Sequence, residues 1–314
     1  MDAPITLSVQ AAPTGSPAWE TFARRCERSG LVSLSVADHP GSGPAPFVSL
    51  AAAAAVTSDI QLATYVVNAG TWEPLALASE VATLDLVSAG RAVLGVGAGH
   101  TPAEWTMSGR EYPSARQRVE RMIELIEVTR RLLDGEVVSF RGRHVRTVDA
   151  HLEKPRPVQG SIPLIVGGNG RRVLHYAAQH ADVVALSGLG RTLPDGYRHE
   201  ADWATDRIDE RVELVHLAAE AVGRTPTLEA LVQRLQITDD AQGAAAELAE
   251  RLNGVTADDL LAAPYVLFGT VEEIAAELRH HQRRWGISRY VVRAPMIDDA
   301  EAILGELAAG DLEG

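Results

Sequence analysis

The chain has 314 residues, 46% hydrophobic and 23% charged, with a formal net charge of −13 and one cysteine. That length holds one large domain or two ordinary ones, and the apolar share is ample for a core. The acidic balance argues against a nucleic-acid or anionic-membrane binder, which needs a basic face, and the lone Cys26 excludes an intrachain disulfide and a cysteine-rich metal site.

In chain order, PITLSVQ alternates and reads as a first strand. Ser16-Pro17 opens a helix, serine as N-cap and proline at the first helical position, with Trp19, Phe22, Ala23 and Cys26 on one face. LVSLSVADH is a second strand ending in Asp38-His39, followed by a proline- and glycine-rich loop and an apolar helix, Phe47 to Ser58. IQLATYVVNAG is a third strand, and a helix runs from Pro74 to Ser88. Ala92 to Val96 forms the fourth strand, opening into Gly95, Gly97 and Gly99 and then His100 and Glu104. A charged helix, Ala115 to Leu133, precedes an excursion, Val137 to Pro157, read as a hairpin closed at Arg141-Gly142. Ile162 to Val166 is the fifth strand, with Gly167 to Gly170 leading into a helix from Arg171 to His180. Asp182 to Leu186 is the sixth, followed by Ser187-Gly188, a long loop to Trp203 and a helix through Val222. Leu228 to Thr238 is a seventh strand, helical patterns fill most of Ala241 to Trp285, Ser288 to Arg293 is the last strand, and a helix follows from Asp298.

Eight short strands, apolar on both faces and alternating with helices, predict a parallel α/β fold. Polar or glycine-rich residues follow nearly every strand, and no G-x-G-x-x-G follows the first. Both points favour a single (β/α)8 barrel over residues 1–314 against a doubly wound sheet. The hairpin and the long loop are insertions after its fourth and sixth strands. No apolar run reaches membrane-spanning length, Leu50 to Val56 being too short, and the N-terminus lacks a signal-peptide build. A cytoplasmic protein is expected.

At a barrel's strand carboxyl ends, titratable side chains read as catalytic. His39 exchanges a proton near neutral pH, and Asp38 fixes its tautomer or accepts a bond from a ligand. The plainer alternative makes Asp38 a helix cap and His39 a loop residue. His100 and Glu104 are candidates for a second acid or base, Glu104 competing with a role as a first-turn helix carboxylate. Gly167 to Gly170 before a helix, with Arg171 and Arg172, forms an anion cradle or a simple turn. The histidines make no metal pattern, so no metal is expected.

Taken in fixed order, ADH, YVVNAGTWEP, LDLVSAGRAVLGVGAGHTPAEW and GEVVSFRGRHV…LEKPRPVQGSIPLIVGGNG resemble the bacterial luciferase-like superfamily, most of all its coenzyme F420-dependent branch. The resemblance runs from about Leu31 to Asp182, with weaker agreement at FGTVEEIAAEL. It implies a (β/α)8 barrel and hydride transfer between deazaflavin coenzyme F420 and a small organic substrate. Within that likeness, Asp38 matches the acid that meets the cofactor ring and His39 a proton donor. A non-prolyl cis peptide is implied at or beside Tyr65–Val66. Tyr65, Val66, Asn68, Gly97, Gly99, Gly167, Gly168, Gly170, Arg171 and Ser187 match cofactor-lining positions. The chain departs from the pattern at His100, where a glutamate is expected, and in lacking a tryptophan soon after His39. The phosphate-binding lysines of sugar-phosphate dehydrogenases are absent, since Lys154 is the only lysine. FMN-dependent oxygenation with a separate flavin reductase, and a non-catalytic cofactor-binding barrel, are the alternatives. The resemblance also implies a homodimer, to which the alanine-rich helix Phe47 to Ser58 is suited.

Overall fold

The computed structural model describes residues 3–193, 199–252 and 254–310. They divide into two compact units, one of residues 11–28 and 33–167, the other of residues 3–10, 29–32 and those from 168 on.

With elements numbered in chain order, the first unit holds α1 (Ser16–Arg28), β2 (Ser33–Val36), α2 (Pro46–Ala54), β3 (Gln61–Thr64), β4 (Val67–Asn68) and α3 (Pro74–Val87). It continues with β5 (Ala92–Gly97), α4 (Pro102–Met107), α5 (Ala115–Leu133), β6 (Val138–Arg141), β7 (Arg146–Ala150) and β8 (Leu164–Gly167). Its sheet is parallel in the order β2, β3, β5, β8, with Leu34 opposite Leu62 and Gly97 opposite Gly167. Every residue of β2 and β5 is buried, as expected of parallel strands covered by helices. The third predicted strand divides. β3 stops at Thr64, a cis peptide joins Tyr65 to Val66, and β4 then pairs with β5 at Asn68–Gly97. Thr64 bridges the break, its hydroxyl donating to Gly95 O at 3.0 Å and accepting from Gly95 N at 2.8 Å. The predicted hairpin is β6–β7, antiparallel.

The second unit holds β1 (Thr6–Gln10), α6 (Arg171–His180), β9 (Val183–Leu186), β10 (Leu189–Thr192), β11 (His199–Ala201), α7 (Thr205–Glu220), β12 (Thr227–Leu231) and β13 (Arg234–Ile237). α8 (Ala241–Ala249), α9 (Ala257–Ala262), β14 (Val266–Gly269), α10 (Val271–Trp285), β15 (Ile287–Arg293) and α11 (Ile297–Gly310) complete it. Its parallel order is β1, β15, β12, β9. Four strands in each unit, each followed by helical structure, give the eight-fold alternation of a (β/α)8 barrel.

The helix ends follow local chemistry. Ser114 and Gln117 form a capping box at the start of α5, as do Thr270 and Glu273 at α10. Gly286, at φ +71°, ends α10 in a left-handed turn that favours glycine. Cys26 is fully buried, as its place in the α1 pattern predicts. Two expectations are corrected. The stretch Leu228 to Thr238 is two strands, because Tyr265 O accepts the N–H groups of both Gln233 and Arg234 and draws the chain aside. β13 then runs parallel to β14, a strand inside the segment expected to be helical.

Candidate active site

In the first unit, the carboxyl ends of β2, β4 and β5 bring the candidate residues together. Asp38, 5% exposed, follows β2, and its Oδ2 accepts both the backbone N–H of Asn68 at 3.0 Å and the indole N–H of Trp72 at 2.8 Å. Burial pushes its carboxyl up from the ordinary aspartate range, with Glu104 adding to the rise, while the two donors and His39 pull against it. Trp72 rests edge-on against the buried Phe47 of α2.

His39 is next in the chain. Its Nδ1 lies 2.8 Å from Oε1 of Glu104, which α4 delivers from the other side. The histidine side chain is 39% exposed and the glutamate 2%. Glu104's second oxygen accepts from Asn68 Nδ2, and Asn68 Oδ1 accepts the backbone N–H of Gly70 at 2.8 Å. His100 stands with its ring edge-on to His39, centroids 5.5 Å apart, and its carbonyl accepts the Tyr112 hydroxyl at 2.9 Å. Of the two candidates for a second acid or base, Glu104 is thus bonded directly to His39, whereas His100 borders it.

The glycine loop has a steric reason. A Cβ on Gly97 would lie 2.6 Å from Val66 Cγ2, so the residue after the cis bond is seated where only glycine leaves room. Gly167 faces the same side chain. Gly99 has φ +75°, and a Cβ there would meet Asn68 Oδ1 at 2.0 Å. Tyr65 is buried, its N–H donating to Val36 O at 2.8 Å.

Three arginines hold the connecting loops by their carbonyls. Arg121 of α5 donates to Ala69 O, Trp72 O and His144 O. Arg110 donates to Gly70 O and lies over the Trp105 ring, while Arg118 donates to Gly99 O and Pro113 O.

In the second unit, Gly168 to Gly170 lead into α6. Gly168 donates to Ala185 O at 3.1 Å, and Gly170 is an N-cap with no side-chain cap bond. Arg171 and Arg172 occupy the first turn, where positive charge opposes the helix dipole. Both polar atoms of the Asn169 amide are buried and have no hydrogen-bond partner among the described residues. Beyond β9, the Ser187 hydroxyl accepts from Leu189 N at 3.4 Å, and Trp203 and Tyr265 brace Gly188. Among the described residues no group of His, Cys, Asp or Glu is placed to hold a metal ion.

Sequence reasoning missed Trp72 and Asn169 as site residues, although both lie in quoted motifs, TWEP and GGNG. An indole with a partner 34 positions away leaves no spacing signature. Asn169 stood between glycines that drew attention to the backbone instead.

The model of the luciferase-like monooxygenase family matches residues 9–290. An F420-dependent glucose-6-phosphate dehydrogenase of Amycolatopsis mediterranei (strain U-32) is 32% identical over 213 residues, 65% of this chain and 62% of that protein. The chain thus matches rather less than two thirds of that relative's length. A protein of the same description from Intrasporangium calvum is 27% identical over 317 residues, covering 92% of each. Among solved structures, the coenzyme F420-dependent tetrahydromethanopterin reductase of Methanopyrus kandleri superposes with a TM-score of 0.77 at 21% identity, over 96% of this chain and 98% of that one. That likeness establishes the barrel fold.

Proposed function

Because the chain belongs to the luciferase-like monooxygenase family, we propose that it is an oxidoreductase that uses coenzyme F420 to exchange hydride with a small organic substrate. The observation that carries the reading is that Val66, faced by Gly97 and Gly167, lies two residues before Asn68, which is hydrogen-bonded to the Glu104 that meets His39. A wall beside a proton-transfer residue is what hydride chemistry on a planar ring requires.

The residues fit the cofactor. When bound, the deazaflavin supplies the carbon that takes or gives hydride. Val66 would back its ring, with Tyr65, Gly97, Gly99 and Gly167 shaping that wall, and the buried carboxyl of Asp38 would be available to it. In the second unit, the Asn169 amide, Gly168, Gly170 and the α6 N-terminus, which has no side-chain cap bond, suit an anionic group such as a phosphate together with Arg171 and Ser187. His39 holds or takes the substrate proton.

The substrate stays a class rather than a compound. Two relatives are named for glucose 6-phosphate. Here the one lysine, Lys154, lies in the loop entering β8, at the amino-terminal end of that strand, so lysine binding of a sugar phosphate is not supported. We read the protein as a cytoplasmic enzyme; no helix among the described residues is long and apolar enough to cross a membrane. A homodimer through α2 and α3 is supported by Val48, Leu75, Leu86 and Val87, which are exposed on those helices.

Spectroscopic titration with F420 and with FMN tests the cofactor. F420 binding and loss of turnover by about 10²–10⁴-fold in His39→Ala, with binding retained, are expected. Full activity in that variant removes His39 from the chemistry. Preference for FMN with oxygen uptake makes the protein a monooxygenase, and binding without turnover of any substrate makes it a carrier.

A further inference from the structure

The polar chain Gly70–Asn68–Glu104–His39 has a direction, and the group that sets it cannot turn round. A backbone N–H only donates, and that of Gly70 donates to Asn68 Oδ1 at 2.8 Å. Which end of the Asn68 amide is oxygen is thereby assigned by the network, and Nδ2, a donor only, is the end that meets Glu104 Oε2. The other carboxylate oxygen faces His39 Nδ1 at 2.8 Å. With Glu104 as the carboxylate, both its oxygens only accept, so Nδ1 carries the hydrogen. Two further titratable groups face His39: Asp38, whose Oδ2 accepts the Asn68 N–H, and His100, whose ring stands edge-on to it.

We propose that this chain locks neutral His39 in its Nδ1–H tautomer, so that Nε2 is the ring's proton acceptor, with Asn68 and Glu104 as positioning residues. The free histidine side chain in water favours the Nε2–H tautomer, so the arrangement reverses a default. Its chemical use rests on the function proposed above; the tautomer itself does not. In the oxidising direction Nε2 would take the O–H proton of a carbinol, and the oxidised deazaflavin would supply the acceptor for its C–H hydride, so that a C=O product balances. In the reducing direction the imidazolium returns the proton from Nε2 to the oxygen.

The chain also dictates what Glu104→Gln must do. Asn68 Nδ2 still has to donate, so the glutamine turns its oxygen toward Asn68 and its NH₂ toward His39. Nδ1 must then accept, and the neutral ring moves to Nε2–H.

Long-range ¹H–¹⁵N correlation spectra of the histidine side chains, in cofactor-free protein at a pH where the ring is neutral and with His39→Ala to assign the signal, read this directly. The parent is expected to show Nδ1–H and Glu104→Gln Nε2–H, the variant also losing about 10²-fold in kcat with KM little changed. A parent ring with Nε2–H overturns the proposal without any variant, and so does an unchanged tautomer in a folded Glu104→Gln protein. Failure of F420 to bind leaves the spectra untouched, so the two readings fail separately.

Discussion

Replacing Asp38 separates the hydrogen bonds it accepts from the charge it carries. Both donors, Asn68 N–H and Trp72 Nε1–H, converge on the one oxygen Oδ2. In Asp38→Asn, the amide oxygen in that place keeps both bonds and removes a carboxylate that is 5% exposed. In Asp38→Ala both donors lose their partner, at about 1–3 kcal/mol each, so a loss of about 2–6 kcal/mol is expected. Asp38→Asn is expected within about 1 kcal/mol of the parent and on the stabilising side at neutral pH. The pH dependence has a definite sign. The folded state holds the Asp38 proton more tightly than the unfolded chain, so the parent gains stability as pH falls through the raised value toward the ordinary 3.8. Its gap to Asp38→Asn narrows over that window and is constant outside it. Urea midpoints for the three proteins across pH 4–8 test this. If Asp38→Asn loses as much as Asp38→Ala, the charge itself holds the site and the reasoning is wrong.

Gly97→Ala places a Cβ 2.6 Å from Val66 Cγ2 and is expected to cost about 1–3 kcal/mol and weaken F420 binding. Val66→Ala added to it should restore most of the thermal stability but not the affinity; no recovery would show that Val66 is not what Gly97 accommodates. Val48→Glu, at a position 71% exposed on α2, should convert a dimer to a monomer in light scattering. A parent that is already monomeric at micromolar concentration removes that interface.

The barrel was legible because its strands are short apolar runs, each followed by a breaker, and that pattern survives without any tertiary knowledge. α5 and α6 were readable to the residue, and their starts follow Ser114 and Gly170. β14 was not, since Val266–Gly269 lies among helix formers and is a strand only because β13 runs beside it. In the candidate site, that Asp38 and His39 follow a strand's carboxyl end was readable from the sequence. Whether His100 or Glu104 was the second group was not, because six-residue α4 decides which side chain turns inward. Pairs such as His39 with Glu104, 65 positions apart, depend on where two loops come to rest.

The clamps formed by Arg110, Arg118 and Arg121 bear on thermodynamics more than on shape. Each guanidinium joins segments distant in sequence, Arg121 alone tying the Ala69 and Trp72 carbonyls to His144 in the hairpin. A planar fork of five donors can do this, and an ammonium, with all its donors on one atom, is poorly suited to it. The loops around Asn68 and Gly99 are therefore ordered by the protein's own bonds, ahead of any ligand. Little of a ligand's binding energy then goes into organising that side of the pocket, and more of it remains for discriminating among the molecules that enter.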